Sequence, residues 1–316
     1  MGSVLLTILS GCPLDLPPTR TIDPGFYGDY EVGFRSEQIP GIPGLDAAWI
    51  HSVCFPSDGG ETINPAAKPC PVVYLVPGLN ISPWFYRSYG EHMASWGYVV
   101  VMPYIIRFDN YQAIDDILTH IDFLEGEVGT PGSFYEDAVD LSKIGLTGHS
   151  MGGKYAVMGL FLEDRFKTSV SIDPTYIGLG EGSNWPDVDP ADLALITQPL
   201  LMIGAPQPSF FSPAGTTMHD IYEAATGPTQ VVAVTGSSHV SFIDDNELGI
   251  YDFFHFGTGV RLPDSDSVHT ITKRYMVSWF NVFLRGQTEY ETYIYGAEAE
   301  QDVTDGLVTI KRNFVP

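Results

Sequence analysis

The residues that could do chemistry gather around one serine in a glycine-rich turn. Residues 143–153 read K-I-G-L-T-G-H-S-M-G-G, so a run of strand character enters the turn and small residues then open a helix. This is a G-x-S-x-G pattern in the strand, turn and helix context that lifts a serine hydroxyl above a sheet. Gly148 and Gly152 fit because strand and helix can approach closely only where Cβ atoms are absent. Ser150 is the candidate nucleophile, and an idle serine in a structural turn is the alternative.

A serine nucleophile needs a base within hydrogen-bond reach, and that base should follow a strand on the same side of the sheet. Most of the eight histidines fail on position, because they precede the core strands, lie in helices or follow the last core strand. His149 is expected to point away, as the neighbour of the nucleophile. His239 follows the strand-like run 230–234 through a loop of small residues, so it is the candidate base; a solvated loop histidine is the alternative.

The base needs an acid to orient it. Asp173 comes directly after the apolar run 168–172, at the carboxyl end of a predicted strand. An ionised carboxylate there is costly to bury unless it is paired. The loop after the next strand, residues 205–213, contains no carboxylate. Asp173 is therefore the candidate acid, and an aspartate that forms a turn before Pro174 is the alternative.

Two backbone amides are expected to bind the oxyanion of the reaction. One belongs to Met151, the residue after the nucleophile, and the other to Leu79, which follows the strand-like run 72–76 and Pro77-Gly78. Apolar residues near the site suggest an open substrate groove, although each of the aromatic ones could equally belong to the core. The candidate substrate-binding residues are Leu79, Trp84, Tyr176 and Phe242.

The elements that must position these residues read as an α/β protein. Short apolar strands alternate with amphipathic helices, which predicts a mostly parallel, doubly wound sheet with helices on both faces. Two antiparallel strands precede this core, and strand-like runs at 292–295 and 307–310 are expected at its edge. We expect one catalytic domain over residues 26–316, preceded by a signal-like start and a proline-rich tether over residues 1–25.

The composition of the chain indicates which classes of binding partner to expect. The 39 acidic residues outnumber the 15 basic ones and give a net charge of −24, which argues against nucleic acid as a partner. There is no run of 18 apolar residues that would predict a membrane span. Cysteine and histidine spacing indicates no metal site, and the chemistry proposed for Ser150 needs no cofactor. The expected partner is a small-molecule or polymeric substrate, and the protein is expected to be a monomer.

The amino-terminal residues suggest export. A short apolar run is followed by Ser10-Gly11-Cys12. Leu-Ser-Gly-Cys resembles the lipobox of bacterial lipoproteins, in which the cysteine is lipidated, but no basic residue precedes the apolar run. We expect an exported protein of bacterial origin that is extracellular, periplasmic or anchored, and Cys12 is the only expected membrane tether.

Cys54 and Cys70 flank a loop rich in glycine and proline between two strand-like runs. If the two runs paired as a hairpin, the cysteines could lie close enough for a disulfide. In an oxidising compartment that bond would stabilise the fold by about 3 kcal/mol.

These residues resemble the α/β-hydrolase superfamily, and within it the branch that holds chlorophyllases, cutinase-like polyester hydrolases and platelet-activating-factor acetylhydrolases. The resemblance runs from about Pro71 to Gly286. Residues 148–153 are similar to the cutinase-like elbow, and Pro77-Gly78 to its oxyanion turn. Residues 171–174 resemble the acid position of chlorophyllases and acetylhydrolases, and residues 236–245 the histidine loop of chlorophyllases.

The resemblance implies a serine esterase that acts through an acyl-enzyme on apolar acyl or aryl esters, including polyesters. Chlorophyllases usually carry arginine where this chain has Met151, which weakens chlorophyll as a substrate. Cutinase-like enzymes usually carry an aromatic residue at the position of Leu79 and take their acid from the loop after the next strand. A chlorophyllase-type hydrolase, a peptidase or lactonase and a non-catalytic binding module remain alternatives.

Overall fold

The computed structural model describes residues 22–39, 49–105, 107, 109–175, 188–206, 217–244 and 265–315. Within these residues, nine strands form one mixed sheet in the order β1-β2-β4-β3-β5-β6-β7-β8-β9. The six strands β3 to β8 pair in parallel, whereas β1, β2 and β9 are antiparallel to their neighbours. The strands are β1 Glu31–Ile39, β2 Trp49–Ser57, β3 Cys70–Val76, β4 Val99–Pro103, β5 Val139–His149, β6 Phe166–Ile172, β7 Leu200–Gly204, β8 Thr229–Val234 and β9 Val308–Arg312.

Helices cover both faces of the sheet. They are α1 Arg87–Ser95, α2 Asn110–Val128, α3 Met151–Leu162, α4 Pro190–Leu193, α5 Thr217–Ala224, α6 Ser265–Arg285 and α7 Ala297–Thr304. Because side chains alternate along a strand, β3 sends Tyr74 into the core formed with α2 and α3 and Val73 into the core formed with α1 and α6. The sheet is thus buried on both faces, as its apolar strands predict. The predicted α/β-hydrolase fold is confirmed.

Local signals explain where the helix after β3 begins and ends. The Ser82 hydroxyl accepts a hydrogen bond from the backbone N–H of Trp84, and Pro83 opens a short 3-10 turn, Pro83–Tyr86, that leads into α1. Gly97 adopts a φ of +87° after α1, a conformation that favours glycine. These contacts hold residues 82–95 beside the loop that follows β3.

The expected disulfide between Cys54 and Cys70 is wrong. Both are buried free thiols, because β4 lies between β2 and β3 in the sheet. Two strand spacings put β2 and β3 about 9.5 Å apart, and Cys54 is level with Val73 rather than with Cys70, so the cysteines lie beyond the reach of a disulfide. Their side chains also enter different cores, Cys70 on the side of α2 and Cys54 on the side of α1. The hairpin expectation failed because the strand that separates them comes later in the chain.

The tail after α6 fits only part of its prediction. Residues 307–310 were expected to form an edge strand, and β9 does pair antiparallel to β8. Residues 292–295 were also expected to form a strand, but the chain forms a 3-10 helix, Thr288–Tyr293, that leads into α7. Among the described helices, none is both long and apolar enough to cross a membrane.

Candidate active site

The structure brings the predicted serine, histidine and aspartate together at the carboxyl ends of three parallel strands. His239 Nε2 lies 2.9 Å from Ser150 Oγ, and His239 Nδ1 lies 2.5 Å from Asp173 Oδ2. The relative exposures of Ser150, Asp173 and His239 are 9%, 4% and 6%. The imidazole therefore donates Nδ1–H to the carboxylate and presents Nε2 to the hydroxyl, as a serine nucleophile requires.

Ser150 stands on a strained turn between β5 and α3. Its φ of 59° and ψ of −117° lie in a region that side-chain-bearing residues rarely occupy. The glycines of the turn allow this close passage, because a Cβ atom on Gly152 would lie 2.0 Å from the Val76 carbonyl oxygen. The backbone N–H of Ser150 donates to the Ile172 carbonyl, 3.0 Å away. The serine is thus held between the ends of β3 and β6.

Asp173 is fixed by contacts on both sides of its carboxylate. Oδ1 accepts a hydrogen bond from the backbone N–H of Ala205 at 2.8 Å, while Oδ2 faces His239. A Cβ atom on Gly204 would approach Oδ1 to 2.7 Å, so the end of β7 leaves room for the carboxylate. Each oxygen of this buried carboxylate therefore has a hydrogen-bond partner. Residues 207–213 of the loop that lacks a carboxylate lie outside the described residues.

The two predicted oxyanion donors flank Ser150. Met151 is the first residue of α3, so its N–H is one of the first-turn amides that find no partner inside a helix. Gly78 lies on the other side, and a Cβ atom there would lie 3.4 Å from Ser150 Cβ. Leu79 follows it, and its backbone N–H donates no hydrogen bond within the described part of the chain. Both amides belong to segments that approach the nucleophile.

The predicted substrate-binding residues are in different environments. Leu79 is half-buried, and the Trp84 side chain is 59% exposed. Phe242 is wrong as a groove residue: it is fully buried in the core, 6.1 Å from the His149 ring between ring centres. Tyr176 lies outside the described residues. A cleft of about 480 Å³ next to Trp84 is lined mostly by charged and polar side chains, among them Arg87, Glu91, Asp244 and Lys273.

His149 occupies an unforeseen position. As expected it is not within reach of the Ser150 hydroxyl as a base, but its ring lies 4.7 Å from that of His239, between ring centres. Its Nε2 is 2.8 Å from the His239 carbonyl oxygen and its Nδ1 is 2.7 Å from the Tyr86 hydroxyl. Burial lowers the pKa of His149 well below its usual value, and the nearby His239 lowers it further. His149 is therefore neutral at neutral pH.

Asp244 is a second residue that the sequence signals did not assign. Its backbone N–H donates to the Phe85 carbonyl at 2.8 Å. Its carboxylate accepts hydrogen bonds from the backbone N–H of Ser88 at 2.8 Å and from the Ser88 hydroxyl. A carboxylate at a helix amino terminus satisfies amides that have no partner in the helix. The available signal was an acidic residue shortly after the candidate base, but its partner lies 156 residues away.

Within the described residues, no group of three or more histidine, cysteine or acidic side chains is arranged to hold a metal ion. The sheet order is that of an α/β-hydrolase fold, and the contacts that link Ser150, His239 and Asp173 have the geometry of a Ser-His-Asp triad. The chain belongs to the chlorophyllase family, whose sequence model matches residues 62–297.

Three relatives illustrate the range of the similarity. Chlorophyllase-2 of Arabidopsis thaliana is 26% identical over 200 residues, which cover 57% of this chain and 63% of the relative. Bis(hydroxyethyl) terephthalate hydrolase of Streptomyces coelicolor is 21% identical over 284 residues, covering 88% and 74%. Platelet-activating factor acetylhydrolase of Cavia porcellus is 30% identical over 124 residues, covering 39% and 23%. The chain thus spans less than two thirds of two of these relatives.

Proposed function

We propose that the protein is a serine carboxylic-ester hydrolase that works through an acyl-enzyme. The observation that carries this proposal is the continuous chain of contacts from Asp173 through His239 to Ser150. Membership of a family whose relatives are named as ester hydrolases supports it. We expect no cofactor to take part.

In the first half of the reaction, Ser150 Oγ attacks the ester carbonyl carbon and His239 Nε2 takes the hydroxyl proton. The carbonyl oxygen becomes an oxyanion, which the N–H groups of Leu79 and Met151 stabilise. When the C–O bond to the alcohol breaks, His239 returns its proton to the leaving oxygen. Asp173 keeps the imidazole in the correct tautomer and stabilises its charged form.

In the second half, water replaces the alcohol. His239 takes a proton from water while the water oxygen attacks the acyl carbon. The N–H groups of Leu79 and Met151 stabilise the oxyanion of this second tetrahedral intermediate as well. Its collapse breaks the acyl–Oγ bond and returns the proton to Ser150. The products are one carboxylic acid and one alcohol for each ester bond.

For the substrate we propose apolar acyl or aryl esters. The exposed Trp84 indole follows the oxyanion loop, residues 77–82 after β3, and offers an apolar contact for a chain that extends beyond the triad. The relative named for bis(hydroxyethyl) terephthalate supports aryl diesters and polyesters as a narrower candidate. The family match supports a second candidate, the ester of a long-chain alcohol such as that of chlorophyll. Met151 argues against this candidate, because chlorophyllases usually carry arginine at that position.

The test is a panel of p-nitrophenyl esters of increasing acyl length, a terephthalate diester and chlorophyll, assayed with wild type and Ser150→Ala. Wild type is expected to hydrolyse one or more of them, and removal of the nucleophile is expected to lower kcat by at least about 10³-fold. Equal turnover by both proteins would exclude the triad mechanism. The most efficient ester decides among the candidates, and no hydrolysis by folded wild type would favour a non-catalytic binding module.

A further inference from the structure

Four residues form a hydrogen-bonded path behind the triad that joins the oxyanion loop to the histidine loop. The backbone N–H of Gly78 donates to the Tyr86 hydroxyl at 3.2 Å. That hydroxyl lies 2.7 Å from His149 Nδ1, and His149 Nε2 lies 2.8 Å from the His239 carbonyl oxygen. Tyr86 and His149 are both 1% exposed, so water does not compete for these contacts. The path runs through the residue next to the nucleophile.

The direction of every proton in this path is fixed by its two ends. A carbonyl oxygen can only accept, so His149 must donate Nε2–H to His239. Neutral imidazole then has an acceptor at Nδ1, and the Tyr86 O–H donates to it. The Tyr86 oxygen keeps lone pairs that accept from the Gly78 N–H. Each of the three contacts has one donor and one acceptor, and the path has a single consistent protonation state.

The path fixes two groups on which the proposed reaction depends. Gly78 precedes Leu79, so anchoring the Gly78 amide restricts the next peptide, which carries the candidate oxyanion N–H. At the other end, holding the His239 carbonyl restricts the backbone from which the imidazole extends. The His149 ring, tilted by 38° against the His239 ring and 4.7 Å from it between ring centres, limits the same side chain from behind. Misplacing catalytic groups by about 1 Å can cost about 10²-fold in rate.

A second tie joins the same two segments from outside the core. Asp244 connects the end of the His239 turn to Phe85 and Ser88, near the Tyr86 end of the first path. Residues 78–88 and 239–244 are thus linked at two separate points. Asp244 takes part through the start of α1, whereas Tyr86 and His149 contact the backbone of Gly78 and of His239.

We propose that Tyr86 and His149 are positioning residues that set the Leu79 amide and the His239 imidazole relative to Ser150. This inference rests on the proposed ester hydrolysis. Its expected signature is a loss in kcat with little change in KM, because neither side chain is exposed to the substrate and both act on groups that meet the transition state.

The experiment compares Tyr86→Phe with Tyr74→Phe, on the best p-nitrophenyl ester of wild type. Tyr74 is a matched control, since it is also fully buried and its hydroxyl donates to a backbone carbonyl, that of His120. Tyr86→Phe is expected to lower kcat by about tenfold to a hundredfold with KM within about threefold, whereas Tyr74→Phe keeps kcat within about twofold. Rates are normalised to active sites titrated with a fluorophosphonate, so that misfolded protein is not counted.

Replacements at His149 test the path from its centre. His149→Gln retains an N–H donor for the His239 carbonyl, and His149→Phe retains neither polar atom. Gln is expected to keep several times more kcat than Phe, and Tyr86→Phe should cost little once Phe stands at 149, because the path is already broken.

Three results would overturn the positioning proposal: normal kcat in Tyr86→Phe, equal losses in Tyr86→Phe and Tyr74→Phe, or fully additive effects at 86 and 149. Each is distinguishable from failure of the proposed function. If the proposed function fails, wild type hydrolyses no ester, or wild type and Ser150→Ala hydrolyse esters at equal rates.

Discussion

Two pairs of buried histidines in this molecule are built from similar parts but arranged for different purposes. His239 lies against His149 at the triad, and His51 lies against His120 between β2 and α2, with ring centres 4.7 Å and 5.2 Å apart. Each pair includes a histidine that faces a carboxylate, Asp173 for His239 and Glu37 for His51. A histidine with a carboxylate is therefore not enough to define an active site in this fold.

The difference lies in what occupies the second ring nitrogen. His239 turns Nε2 toward a serine hydroxyl on strained backbone, whereas His51 turns Nδ1 toward Nδ1 of His120, 3.0 Å away. The carboxylates differ too. Glu37 also contacts Arg35 and accepts a hydrogen bond from the Tyr135 hydroxyl at 2.8 Å. Its charge is shared among structural partners, whereas Asp173 orients one imidazole.

Removing the carboxylate charge from each pair gives the largest expected contrast. Asp173→Asn should lower kcat by about 10³-fold to 10⁴-fold, because the amide no longer holds the productive histidine tautomer. Glu37→Gln should leave kcat within about twofold and act on stability instead, since it breaks a buried polar cluster. Steady-state kinetics and thermal unfolding of both variants check this. Near-normal activity of Asp173→Asn would move the role of acid to another residue.

The pair of His51 and His120 should make the unfolding free energy depend on pH. Burial, together with the nearby His51, lowers the pKa of His120 to about 3. The unfolded chain binds a proton near pH 6.5 while folded His120 remains neutral, so the unfolding free energy falls as the pH falls below that value. The expected slope is about 1.4 kcal/mol per pH unit for this histidine.

His120→Phe should therefore flatten the fall in unfolding free energy between pH 6.5 and pH 4, although it weakens the fold at pH 8 by removing the contact with His51. Denaturant titrations at several pH values measure the slope, and kcat at pH 8 should stay within about twofold of wild type. An unchanged slope would contradict the assignment, and a large loss of kcat would show that the two pairs are coupled.

The smallest expected effect concerns the strained backbone conformation of Ser150. Ser150→Gly and Ser150→Ala both remove the nucleophile, but only glycine accepts a φ of 59° with a ψ of −117° without steric cost. The glycine variant should be the more stable of the two by about 1 kcal/mol, despite the greater flexibility of its unfolded chain. The denaturant midpoints of the two inactive proteins measure this difference in stability. Equal midpoints would mean that the backbone conformation at residue 150 has no measurable cost for a residue with a side chain.

The sequence predicted the elements whose signals are local. The glycines around Ser150, the apolar run that ends at Asp173 and the small residues before His239 each lie beside the feature they mark. Because carboxyl ends of parallel strands share one edge of a sheet, placing three residues on three strand ends was enough to predict that they meet.

Contacts between distant segments could not be predicted in this way. The Tyr86 hydroxyl meets a histidine 63 residues away, and no spacing rule covers such a contact. The wrong disulfide had the same origin, since the position of β4 in the sheet is not a property of residues 54–70. Phe242 misled for another reason: an aromatic residue near a site reads the same in a sequence whether it faces substrate or the core.

The buried free thiols of Cys54 and Cys70 can report local opening of the core. Burial raises the pKa of both, to about 11 for Cys70, so neither ionises readily at neutral pH and alkylation needs local opening. One lies in each layer of the core. With Cys12 replaced by serine, the labelling rate of each remaining thiol would measure how often its own side of the sheet opens, and would show whether the two layers loosen together or one at a time.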